Sequence, residues 1–132
     1  MVSSAVAKYS TVPVEALDPK KYGDAGPEAI IQAAIVAMLR RKGWYTVRVV
    51  GNAYQSGLPD LFACHKRFGP RWIEVKLPGM KGSKFTKAQL EVFPKLTANG
   101  AGVWILTADT QTEYEKLKRK PNWYQYTKVM RP

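Results

Sequence analysis

Two short stretches hold the groups that could do chemistry. Pro59-Asp60 closes a Gly-containing loop, and Glu74-Val75-Lys76 lies inside the apolar run RWIEVKL. In an extended strand, Trp72, Glu74 and Lys76 share one face while Ile73, Val75 and Leu77 share the other. The second set is apolar and suits packing on a helix. The first puts two charges on what reads as a central strand. Burying them without partners would cost several kcal/mol or shift their ionisation.

Hairpin arithmetic supplies a partner. With His65 facing Arg71 across the turn KRFGP, paired positions sum to 136, so Asp60 lies opposite Lys76 and Phe62 opposite Glu74. Opposed residues of an antiparallel pair point to the same face. Asp60 and Glu74 become diagonal neighbours, roughly 7–8 Å apart, able to converge through a bridging ion. An odd sum would put Asp60 on the wrong face. Two carboxylates beside a lysine form an oxygen-rich pocket suited to Mg²⁺ or Mn²⁺. Such a cation polarises a phosphate oxygen and lowers the pKa of bound water. The lysine can hold that water or stabilise charge growing on the phosphate.

The elements that must position these groups follow from pattern. GPEAIIQAAIVAMLRRKG predicts a helix, with Pro27 and Glu28 in its first turn, Arg40, Arg41 and Lys42 at its end, and a stripe of Ile31, Ala34, Ile35 and Met38. WYTVRVVG, LPDLFACH and RWIEVKL predict three strands, and AGVWILT a fourth. A helix opens near Thr86, with a kink or early end expected at Pro94. TQTEYEKLKRK predicts a basic helix, and WYQYTKV a late edge strand. The order implies an α/β fold with a mixed β-sheet flanked by α-helices. Residues 1–24 are polar and Pro-punctuated and read as an arm ordered against a partner; residues 25–132 read as one domain.

Composition narrows the partner. Among 132 residues, 21 Lys and Arg face 10 Asp and Glu, a net charge of +11, which calls for a polyanion and favours nucleic acid. No long apolar span supports a membrane, and the N-terminus lacks the apolar core of a signal peptide. The single cysteine, Cys64, fits a reducing, cytoplasmic setting. No organic-cofactor motif is present.

Gly57-Leu58-Pro59-Asp60 followed by Glu74-Val75-Lys76 resembles the PD-(D/E)xK nuclease signature. The helix carrying Glu28, the G-x-P-D loop, the E-V-K strand, Thr86-x-x-Gln89 and the AGVWIL strand look like the VRR-NUC branch. The archaeal Holliday junction resolvases are the near neighbour. The resemblance covers roughly residues 27–107. It implies a restriction-endonuclease-like core and a Mg²⁺- or Mn²⁺-dependent deoxyribonuclease acting on branched DNA as a homodimer. Asp60 and Glu74 would bind the metal with the Val75 carbonyl, and Lys76 would position the attacking water. Glu28 would add an acidic contact and Gln89 would brace the site. Pro94 and the long arm depart from the family pattern.

Plainer roles stand beside these. Asp60 suits a turn after Pro59. Glu74 and Lys76 suit a solvated strand face. Glu28 stabilises any helix start, and Thr86 with Gln89 forms a capping box that needs no active site. Thr110 with Glu113 is a second box, read as structural. His65 reads as a surface residue beside a turn. Lys81, Lys84 and Lys87, close behind the E-V-K strand, are expected to contact phosphate. Tyr54, in the GNAYQSG loop, could stack on an unpaired base, with local packing as the commoner role of a loop Tyr. Lys116, Lys118, Arg119 and Lys120 form a more distant basic cluster. The rival functions are a non-catalytic nucleic-acid-binding module on the same fold and a ribosome-associated basic protein.

Overall fold

The computed structural model describes residues 26–50, 56–80 and 84–127. The arm, Tyr54 and Lys81 lie outside them. The order is α1 (Gly26–Arg41), β1 (Tyr45–Arg48), β2 (Leu61–His65), β3 (Gly69–Val75), a 3₁₀ turn (Pro78–Met80), α2 (Lys87–Ala98), β4 (Val103–Leu106), α3 (Gln111–Glu115) and 3₁₀ turns at Lys116–Lys118 and Trp123–Tyr126.

The strands lie in the order β1-β2-β3-β4. The first two pairings are antiparallel and β3–β4 is parallel. The parallel step follows from the crossover through α2, since a tight hairpin cannot join parallel strands. The mixed sheet with flanking helices is as expected.

Alternation sorts the strands into two layers. Leu61, Ala63, Ile73, Val75, Trp104 and Leu106 face α1 and pack with Ile35, Met38 and Leu39. Val103 and Ile105 face the other way, against Phe93 of α2 and Trp123. Glu74 belongs to this second face, so the helix that covers it is α2. Burial on α1 runs unbroken from Ala33 to Leu39, wider than the expected stripe. Ile31 packs at its margin.

Three expectations require correction. The hairpin register is His65↔Gly69 and Leu61↔Ile73, so pairs sum to 134, not 136. The turn is tighter because Gly69, at φ 81°, enters the ladder as its first β3 residue. The slip is by two, so face parity survives. Second, α2 continues through Pro94 to Ala98. Phe93 is fully buried against Phe85 and Trp123, and the Asn99 amide donates to the Lys95 carbonyl at 2.8 Å, so packing and capping outweigh the lost backbone bond. Third, residues 123–126 of the expected last strand form a 3₁₀ turn. The Asn122 amide takes the place of a strand on the outer edge of β4. Its Oδ1 accepts from the Ile105 N–H at 2.7 Å and its Nδ2 donates to the Ile105 carbonyl at 3.3 Å.

Candidate active site

With pairs summing to 134, the position opposite Glu74 is Asp60, one residue before β2. Asp60 continues the ladder. Its carbonyl accepts from the Val49 N–H at 2.8 Å, its N–H donates to Glu74 Oε1 at 3.1 Å, and its Oδ2 accepts from the Val75 N–H at 2.8 Å. Each carboxylate thus takes a backbone donor from the other's strand. The two are direct neighbours, closer than the diagonal arrangement expected.

The loop that delivers Asp60 is fixed at Gly57. Its φ is 91°, and a Cβ there would stand 2.6 Å from the Ala88 carbonyl oxygen of α2. Only glycine allows both the left-handed turn and that approach. The G-L-P-D loop therefore sits directly on the helix turn that carries Gln89.

Glu74 is 2% exposed and Lys76 3% exposed. The Lys76 ammonium lies 3.0 Å from Glu74 Oε2. It also donates to the Lys84 carbonyl at 2.7 Å and to Gln89 Oε1 at 3.3 Å, and lies 4.9 Å from the Phe85 ring centre. Gln89 holds two roles together. In the capping box its N–H donates to Thr86 Oγ1 and its Oε1 accepts from the Thr86 N–H. Its Nε2 meanwhile donates to Glu74 Oε2 at 2.8 Å. The helix cap and the acidic site are one network.

The electrostatics are unfavourable to two ionised carboxylates. Burial is the main cause holding Asp60 above its ordinary range, and the charge of Glu28 adds to it, while the Val75 N–H and Lys76 act against it. Glu74 is pushed up to about 7, first by burial and then by the Asp60 charge, with Lys76 and Gln89 opposing. A divalent cation would relieve this cost, and the donors are hard oxygens, so the residues fit Mg²⁺ or Mn²⁺. Asp60, Glu74 and the Val75 carbonyl are the candidate donors. Among the described residues, no three His, Cys, Asp or Glu side chains form a closed cluster. Glu28, in the first turn of α1, reaches Asp60 through its charge.

Lys84 and Lys87 are exposed beside this network, at the start of α2. Pattern reading missed two contributors: Phe85, beneath the ammonium, and the Lys84 backbone carbonyl. A lysine buried behind a capping box was the available signal. His65 is enclosed by the rings of Trp44 and Phe68 at the far end of β2, and its Nδ1 accepts from the Arg67 N–H. It is a local packing residue. Cys64 is half-buried in the sheet as a free thiol. Among the described residues no helix is long and apolar enough to cross a membrane.

No protein-family model matches the chain, and no curated protein matches it by sequence. Among solved structures it is similar to Hjc of Archaeoglobus fulgidus, a Holliday junction resolvase from an archaeal hyperthermophile. The two share 19% identity over 61% of this chain and 67% of that one, with a TM-score of 0.46.

Proposed function

We propose that this chain is a metal-dependent, structure-selective DNA endonuclease of the VRR-NUC type, hydrolysing phosphodiester bonds in branched DNA as a homodimer. One observation carries the reading: Asp60 and Glu74 meet across an antiparallel pair, with the Lys76 ammonium 3.0 Å from Glu74. Such an arrangement is costly for stability alone, because a buried and a half-buried acid share one lysine.

The side chains divide the work. Asp60 and Glu74, with the Val75 carbonyl, hold Mg²⁺ or Mn²⁺, which supplies Lewis-acid polarisation of a phosphate oxygen when bound. Lys76 donates a hydrogen bond to the attacking water or to the phosphate oxygen that gains charge. Gln89 fixes the Glu74 rotamer, and Glu28 adds negative potential that favours cation entry. Lys84 and Lys87 steer the DNA backbone, with Lys81 and Tyr54, which lie outside the described residues, as further contacts. Two copies related by a two-fold axis would cut a symmetric junction at equivalent positions.

A non-catalytic nucleic-acid-binding module draws support from the same basic surface. Protein donors already reach both Glu74 oxygens. One experiment separates the readings. A labelled four-way junction is incubated with the chain and Mg²⁺, then with Asp60→Asn. The nuclease reading expects cleavage that falls by about 10²-fold or more in the variant while binding persists. Intact DNA with both Mg²⁺ and Mn²⁺ would leave the binding module.

A further inference from the structure

The segment that closes the β4 edge also builds a charged cavity. Lys116, Arg119, Lys120, Asn122, Gln125 and Tyr126 line a space of about 370 Å³ between the last two 3₁₀ turns. Its floor is fixed. Asn122 is buried and both ends of its amide are held by Ile105. The Arg119 carbonyl accepts from the Trp104 indole at 3.0 Å. Lys116 is held at the wall by Glu113 and donates to the Tyr126 hydroxyl at 3.1 Å. The Arg119 and Lys120 side chains are exposed. Among the described residues neither lies within ion-pair distance of a carboxylate.

We propose that this cavity binds a backbone phosphate of nucleic acid, as a site separate from the carboxylate pair. Concave geometry, two exposed cations outside ion-pair distance of any described carboxylate, and neutral donors from Gln125 and Tyr126 together suit a phosphate better than a carboxylate peptide or an apolar ligand, although Glu115 acts on Arg119 through its charge. The position fits a continuous polyanion. Ile105, which Asn122 caps, is the register partner of Glu74. Asn122, in the cavity floor, therefore lies level with Glu74 along the strands, roughly two strand spacings from it. The proposal rests on the nucleic-acid part of the functional reading and is independent of cleavage.

The test is equilibrium binding of a DNA duplex, in EDTA, across 50–200 mM salt. Arg119→Gln/Lys120→Gln should weaken binding and lower the slope of log K against log salt by about two. Lys66→Gln/Arg67→Gln, at the β2–β3 hairpin tip and outside the cavity lining, should leave the slope unchanged. Arg119→Lys/Lys120→Arg should restore it, which excludes a folding defect. An unchanged slope in the first variant, or an equal fall in the hairpin control, would overturn the proposal. So would loss of binding to phosphatidylserine vesicles with DNA binding intact, which would assign the cavity to a membrane surface. Because EDTA prevents metal-dependent cutting, a failed cleavage assay would sink the nuclease reading without touching this result.

Discussion

Glu74 is where the chemistry and the stability of this chain conflict. Its carboxyl goes from 4.5 to about 7 because burial and Asp60 both penalise its charge. An acid whose folded pKa is raised stabilises the fold while protonated. That contribution is complete below about pH 4.5 and is lost as pH climbs through 7. Thermal melts in EDTA should therefore show the chain losing stability between pH 5 and 8, and Glu74→Gln should flatten the trend. Adding Mg²⁺ should recover more stability at pH 8 than at pH 5.5, because the ion competes with the proton. A chain that gains stability with pH in EDTA would contradict the assignment. Lys76 supports a second expectation. Lys76→Met keeps the stem but leaves Glu74 with one fewer donor. Cleavage should fall by at least about 10²-fold with binding to DNA retained, as read in the junction assay.

At the scale of elements, α2 does two things with one residue, and the two can be separated. Thr86→Ala and Gln89→Ala each break the capping box and should each cost about 1 kcal/mol in urea denaturation. Only Gln89→Ala removes the 2.8 Å bond to Glu74. It alone should depress kcat well beyond its stability cost. Equal losses of activity in both variants would reduce Gln89 to a cap. This coupling was half visible in the sequence. The spacing of Thr86 and Gln89 states the cap, but nothing local says that the far side of the amide meets a strand fifteen residues earlier. Register shows the same limit. The parity that puts Asp60 and Glu74 on one face follows from strand alternation and survived. The exact partner depended on whether Gly69 belonged to the turn or to the ladder, a choice made by one positive φ. The fifth strand failed for a tertiary reason. Asn122 satisfies the Ile105 backbone with its side chain, so Trp123 turns into the core where a β-rich sequence would otherwise have paired.

For the whole molecule, the +11 charge acts on folding and on binding with opposite signs. Twenty-one cations against ten carboxylates repel one another in the compact state. Of the ion pairs among the described residues, only Lys76–Glu74 is deeply buried, and the other two lie along α3 and the turn after it. The more open of these, Lys118–Glu115, contributes little, and Lys116–Glu113 is partly buried. Salt should therefore screen more repulsion than attraction. The Debye length contracts from about 30 Å at 0.01 M to about 10 Å at 0.1 M, which is shorter than the span of the domain. The melting temperature of the free chain should rise by a few degrees over that range. DNA affinity should move the other way, because the same cations release counterions when they meet phosphate, and six to ten contacts would lose about 10³–10⁵-fold between 50 and 200 mM salt. Calorimetry and binding titrations on one preparation would read both. A melting temperature that falls with salt would mean that attractive pairs dominate the surface, and that the cations are arranged for the fold and not for a polyanion.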